Sequence, residues 1–237
     1  MTTDHSQTQK RLEQLRGGLP IEGPGARGIE RMARNSKCSR LRVLTYAGVS
    51  PTTAARRVYG EEPREGRSPF AISQGNRFEA ELFRDGAQKL IELYRSHNRL
   101  PETPKVVDLS LLHPKASAES LERRHTETIG LLERRLAGDS KAPHLIIKPR
   151  FQIELLGRTC MVEPDFLVAG DGDELYRVGE IKSYADRDGK TEPSKIRGAC
   201  RQIAVGVVAL RGELEVRGST DQLSSLVCAR GDLVLRA

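Results

Sequence analysis

Segment 144–183 constrains the fold more than any other part of the chain. It carries three runs with strand character in direct succession, 144–156, 159–168 and 174–183. Gly157-Arg158 separates the first pair and Gly170-Asp171-Gly172-Asp173 the second, and short glycine-containing connections of this kind join antiparallel strands as hairpins. Pro149 interrupts the first run, and because proline has no N–H to give a ladder, it marks an edge position or a bend. A small sheet must be covered by other elements to be stable, and the flanking sequence supplies them. Residues 74–96 place Phe78, Leu82, Phe83, Ala87, Leu90, Ile91 and Tyr94 on a broad apolar stripe, which predicts a long helix. Residues 117–137 predict a charged amphipathic helix that opens at Ser117 and closes at Gly138. After Pro193, Ile196, Cys200, Ile203, Val207 and Leu210 recur at helical spacing, predicting a helix over 194–210. Residues 105–111 form a further strand candidate, and short strands near 213–217 and 225–235 close the chain. The expected core is α/β, a small mixed sheet flanked by helices in the order α-α-β-β-β-α-β.

This core occupies 71–237. Ahead of it, residues 1–28 are expected to be a flexible segment and linker, with a frayed helix over 1–16 and a Gly/Pro-rich stretch from 17. Residues 29–70 are expected to be a basic helical region, broken at Ser50-Pro51 and ending in a loop over 60–69. The chain has 237 residues and a net charge of +7. Residues 1–70 hold 13 Lys/Arg against 7 Asp/Glu, so the excess is concentrated there. Arg27, Arg31 and Arg34 fall on one helical face with Lys37 just beyond, and such a face either tracks a phosphate backbone or is simply solvated. Aromatics make up 4% and Trp is absent, which leaves a base-stacking platform poorly supplied. The longest apolar candidate, Ile203 to Leu210, is far short of the roughly 18 residues a membrane helix needs. The polar N-terminus shows no secretory signal. Cys38, Cys160, Cys200 and Cys228 form no Cys-x-x-Cys pair, so they are expected to be reduced thiols in a cytoplasmic protein with no membrane partner. The chain ends within a strand-like run, Leu233 to Ala237, which raises the expectation of a longer protein or a completing protein partner.

Four features carry chemistry. Pro164-Asp165 lies in the second predicted strand. Glu180-Ile181-Lys182 ends the third, and residues two apart on a strand share a face. Glu79 sits on a largely apolar side of the long helix, beside Leu82, Phe83, Gly86 and Leu90, where a carboxylate needs a partner or a metal. Arg201-Gln202 lies in the helix after the third strand. An acid-x-Lys triplet is weak alone. Three occur, and Asp139-Ser140-Lys141 and Asp188-Gly189-Lys190 follow a helix end and sit in a polar loop. Only Glu180-Ile181-Lys182 ends a strand after a Pro-Asp and before an amphipathic helix. Bland readings stand beside these: Asp165 as a surface acid near a turn, Glu180 and Lys182 as an exposed pair, and Glu79 salt-bridged to an arginine.

Pro164-Asp165 followed by Glu180-Ile181-Lys182 resembles the signature of the PD-(D/E)xK nuclease superfamily. Gly75-Asn76-Arg77-Phe78-Glu79 resembles the acidic helical motif of its RecB-like and Cas4-like branch, and Arg201-Gln202 resembles that branch's glutamine motif, although Gly206 stands where the motif has a tyrosine. The resemblance implies a restriction-endonuclease-like core and a metal-dependent nuclease acting on DNA, leaving a 5′-phosphate and a 3′-hydroxyl, in prokaryotic defence, repair or mobile-element biology. It implies Mg²⁺ or Mn²⁺ held by Asp165, Glu180 and the Ile181 carbonyl, with Glu79 as a further ligand. Lys182 would orient or deprotonate the attacking water, and Gln202 with Arg201 would position substrate. Lys195, Arg197 and Arg201, together with Arg31, Arg34 and Lys37, would contact nucleic acid. Some relatives carry an iron–sulfur cluster on one Cys before the acidic helix and three after the glutamine helix. The cysteines here do not follow that pattern, so no cluster is expected. The alternatives are a non-cleaving nuclease-like subunit that binds nucleic acid or a protein, and an unrelated basic module in which Glu79, Asp165 and Glu180 do not converge. His144 and Tyr184 are placed near the presumed site, with capping and packing roles as their bland readings.

Overall fold

The computed structural model describes residues 3–18, 23–49, 51–60, 69–97, 99–114, 117–155, 158–169, 176–185, 191–217, 227 and 229–236. Four helices, α1 (Thr3–Arg16), α2 (Ala26–Arg34), α3 (Ser39–Tyr46) and α4 (Pro51–Tyr59), precede α5 (Pro69–Ser96). There follow β1 (Val106–Asp108), α6 (Leu109–Leu112), α7 (Ala118–Leu136), β2 (Leu145–Ile147), β3 (Phe151–Leu155), β4 (Arg158–Val162), β5 (Phe166–Ala169), β6 (Tyr176–Ala185), α8 (Pro193–Arg217) and β7 (Asp232–Arg236). The architecture is mixed α/β. A five-stranded sheet runs β1-β2-β5-β6-β7, and β3 pairs with β4 as a separate hairpin. The β1–β2 and β6–β7 pairs are parallel and the two between them antiparallel. The parallel β6–β7 pair needs a crossover, which α8 provides.

The sheet is covered on both faces. Strand alternation sends Leu145, Ile147, Phe166, Val168, Ile181 and Val234 to one side, where Leu82, Ala87, Leu90, Ile91 and Tyr94 of α5 pack. Ile146, Leu167, Tyr176 and Val178 go to the other, against Ile129 and Leu132 of α7 and Ile203, Val207 and Leu210 of α8. Tyr94 and Phe166 meet edge to face at 6.0 Å. Phe166 also requires the glycine opposite it, because a Cβ on Gly179 would come within 2.1 Å of the ring. The basic α2 is docked: Ala26 and Ile29 join the core, and the helix packs on α8.

Several expected boundaries are corrected. The 144–156 run is two strands in two sheets, because Lys148-Pro149-Arg150 leaves the ladder. Pro149 therefore marks a bend, and β2 is an inner strand rather than an edge. The 159–168 run is likewise split at Glu163-Pro164-Asp165, so Pro-Asp lies between β4 and β5 and not inside a strand. The predicted strand 213–217 is the end of α8, and residues 109–111 are helical. The long helix begins at Pro69 and is kinked, with non-helical backbone from Arg84 to Ala87. Residues 29–59 break at Asn35–Cys38 as well as before Pro51. The turns at 157 and 170–173, the loop 61–68, the triplet at 188–190 and Cys228 lie outside the described residues.

Candidate active site

Strand register assembles the polar centre. The β2–β5 ladder pairs Ile147 with Phe166, and its next hydrogen bond runs from the Lys148 N–H to the Asp165 carbonyl at 3.0 Å. The β5–β6 ladder pairs Phe166 with Gly179, so Asp165 faces Glu180 one step further on. Lys148, Asp165 and Glu180 are therefore one cross-strand row at the end of the sheet, and cross-strand neighbours share a face. Lys182 lies two residues along β6 on the same side. Glu79 arrives from α5, whose Gly75 passes close to Ser183.

The contacts within this row are short and charged. Lys148 Nζ donates to Asp165 Oδ1 at 2.7 Å and stands 2.5 Å from Glu79 Oε1. The Ile181 N–H donates to Asp165 Oδ2 at 2.7 Å. Lys182 pairs with Glu180. Asp165, Glu180 and Lys182 are all buried. Burial and, after it, the Asp165 charge raise the Glu180 carboxyl, Lys182 and Lys148 offset part of the rise, and the net is a carboxyl pushed up to about 7. For Lys148, burial favours the neutral amine, but Asp165 and Glu79 outweigh it and hold the ammonium charged above the ordinary lysine range. The bland readings of Asp165 as a surface acid and of Glu180–Lys182 as an exposed pair are excluded. The partner of Glu79 is a lysine, not an arginine.

Glu79, Asp165, Glu180, Ile181, Lys182 and Gln202 all line one cavity of about 610 Å³. Among the described residues, however, no three His, Cys, Asp or Glu side chains are already gathered in a way that could hold an ion. The donor set is hard oxygen, the kind that Mg²⁺ and Mn²⁺ take. The carboxylates are presently matched by lysines instead.

The helix α8 delivers Gln202 to the cavity because Gly206, one turn on, lets the helix lie close to the sheet. A Cβ at Gly206 would come 2.8 Å from Val178 Cγ1 and 3.2 Å from Pro164 Cγ. A tyrosine at 206 has no room here. Tyr184 lines the cavity and carries Lys195 over its ring at 5.8 Å. His144 is at the far end of β2, where its Nδ1 accepts the Lys105 N–H, a capping role.

The expected nucleic-acid contacts divide. Arg27, at the start of α2, lines the cavity. Arg201 of α8 and Arg34 of α2 flank the buried Glu30, at 3.7 and 3.9 Å, and the Arg201 pair ties α8 to α2. Arg31 is half-buried, while Lys37 and Arg197 are exposed, and none of these three lines the cavity.

Sequence reasoning missed Lys148. Pro149 marks a break there, and the residue before it belongs to no motif of its own. Lys148 has φ +54, a left-handed conformation that costs a non-glycine residue about 1–3 kcal/mol. The conformation is unusual ahead of proline, which favours extended backbone. The available signal was the Lys-Pro pair at the end of an apolar run, at a register position opposite Pro164-Asp165. Searches of family models, of curated proteins and of solved structures find no match to this chain.

Proposed function

We propose that this chain is a metal-dependent nuclease with a restriction-endonuclease-like core, cleaving DNA to leave a 5′-phosphate and a 3′-hydroxyl. The observation that carries the reading is the buried row Lys148–Asp165–Glu180, with Lys182, Glu79 and Gln202 brought to the same cavity from β6, α5 and α8. Residues from four motifs scattered over more than a hundred residues line the same cavity, which supports the reading.

Asp165, Glu180 and the Ile181 carbonyl would hold Mg²⁺ or Mn²⁺, with Glu79 as a further ligand. When bound, such an ion polarises the phosphate and makes a nucleophile of water at neutral pH. The chain's own groups do the rest. The Ile181 N–H fixes one Asp165 oxygen, so the carboxylate presents the other to the cavity. The Lys182 ammonium, held by Glu180, orients the attacking water and offsets phosphate charge. Gln202 hydrogen-bonds substrate from the helix side, and Arg27 supplies positive charge at the cavity mouth. Arg31, Arg34, Lys37, Lys195, Arg197 and Arg201 lie on or beside α2 and α8, which pack together and extend this positive surface along a phosphate backbone.

The test is cleavage of labelled duplex DNA, single-stranded DNA and RNA with Mg²⁺, Mn²⁺ or EDTA. Cleavage of DNA with metal is expected, falling by about two orders of magnitude or more in Lys182→Ala and in Asp165→Ala. Binding of DNA without cleavage under either metal would replace this reading with the non-cleaving subunit. Neither binding nor cleavage would remove both.

A further inference from the structure

We propose that the Lys148 ammonium is the resident counter-ion of Glu79 and Asp165, and that a divalent ion reaches these carboxylates by displacing it. This rests on the metal-dependent reading above. Three observations support it. First, one nitrogen serves both carboxylates, at 2.5 and 2.7 Å, so oxygens that would otherwise repel are already drawn to a single positive centre. Second, the root of the side chain is anchored. Its N–H closes the β2–β5 ladder on Asp165, its backbone is left-handed, and Pro149 follows. With the backbone held there, the ammonium can move only by rotation of its four-carbon stem. Third, the ammonium has somewhere to go. Glu79 and Lys148 also line a second cavity of about 510 Å³, bounded by Phe83, Asp108 and Leu111. The Phe83 ring is already 5.9 Å from Nζ, and an aromatic face with a carboxylate nearby is a suitable seat for a displaced ammonium.

Displacement makes metal affinity a competition. A neutral residue at 148 leaves the two carboxylates unmatched and favours the ion. An arginine, whose planar fork can hold two carboxylates at once, is harder to displace than lysine and disfavours it.

The experiment is calorimetric titration of the metal-stripped full chain with Mn²⁺, for the parent, Lys148→Gln and Lys148→Arg, with thermal unfolding with and without Mn²⁺. Lys148→Gln is expected to bind Mn²⁺ about tenfold more tightly than the parent, with a lower metal-free Tm and a larger rise on adding Mn²⁺. Lys148→Arg is expected to bind several-fold more weakly. A lysine that merely supports the fold predicts weaker binding in both variants, and that result, or equal affinity in all three proteins, overturns the proposal while leaving the metal reading intact. If Lys148→Gln does not fold without metal, Lys148→Arg decides alone: parental or tighter binding overturns displacement. Absence of Mn²⁺ binding by the parent and both variants overturns the metal reading and the displacement together.

Discussion

Glu180 on β6 and Glu213 on α8 are buried to nearly the same degree, at 8% and 5% exposed, and each meets a basic side chain. Their carboxyls are nevertheless pushed in opposite directions. Burial raises both. At Glu213 it is outweighed by hydrogen bonds: His125 Nε2–H donates at 2.7 Å, the Gln152 N–H at 2.6 Å and Arg217 Nη1 at 2.6 Å, leaving the carboxyl below its ordinary range. At Glu180 the Asp165 charge adds to burial, and the carboxyl rises to about 7. The Glu213 cluster joins α7, β3 and α8 and has its acceptors matched by fixed donors. The Glu180 cluster gathers three carboxylates and two lysines around an open cavity. Burial of an ionic group therefore does not itself mark a functional site. A carboxylate with completed hydrogen bonds holds elements together, whereas one set against another carboxylate beside a cavity is placed to take a cation.

Substitution of the two glutamates tests this contrast most strongly. Glu213→Ala strands His125, the Gln152 amide and Arg217, and is expected to cost about 3 kcal/mol, read as a fall in the urea midpoint at unchanged slope. A change below a few tenths would make the two clusters equivalent and break the contrast. Next in size is Gly206→Ala on the helix that links the clusters. The crowded Cβ pushes α8 from Val178 and Pro164, costing about 2 kcal/mol and moving Gln202, so cleavage should fall along with the midpoint.

The smallest effect has the opposite sign. Glu180→Gln removes a buried charge set against Asp165, so in EDTA at pH 8 it is expected to raise stability by about 1 kcal/mol, and with Mg²⁺ or Mn²⁺ present the proposed cleavage should be lost. The pH dependence follows. The folded protein keeps the Glu180 proton up to about 7 and the unfolded chain releases it near the ordinary carboxyl value of 4.5, so metal-free stability falls as pH rises through that window. Glu213 is held below its ordinary value, so its contribution is full above 4.5 and is lost as the pH falls further. Glu180→Gln should flatten the first slope alone. Urea midpoints from pH 3 to pH 8 would show it, and an unchanged slope above pH 4.5 would count against Glu180 as its source.

Much of this was legible along the chain. Ser117 caps α7 through its side chain, as its position before a periodic run implied. The spacing of Ile203, Val207 and Leu210 located the buried face of α8. The kink in α5 was not legible, because the apolar stripe continues through Arg84 to Ala87 although the backbone leaves the helix there. Pro149 marked the bend after β2, whereas the break at Pro164-Asp165 was hidden because Pro-Asp sits between two apolar runs. The basic residues of α2 looked like one solvated or phosphate-binding face, but only packing on α8 brings Arg201 to the buried Glu30 on that helix.

The sequence by itself determined the mixed α/β class, the helical covers and the residues able to carry the chemistry, because periodicity and residue type are local properties. Tertiary structure decided which of them meet. Lys148 joined the site because two ladders align it with Asp165 and Glu180, and register depends on pairing between strands rather than on any one of them. The need for glycine at 206 is decided in the same way, since only the approach of α8 to Val178 and Pro164 shows that a larger side chain has no space.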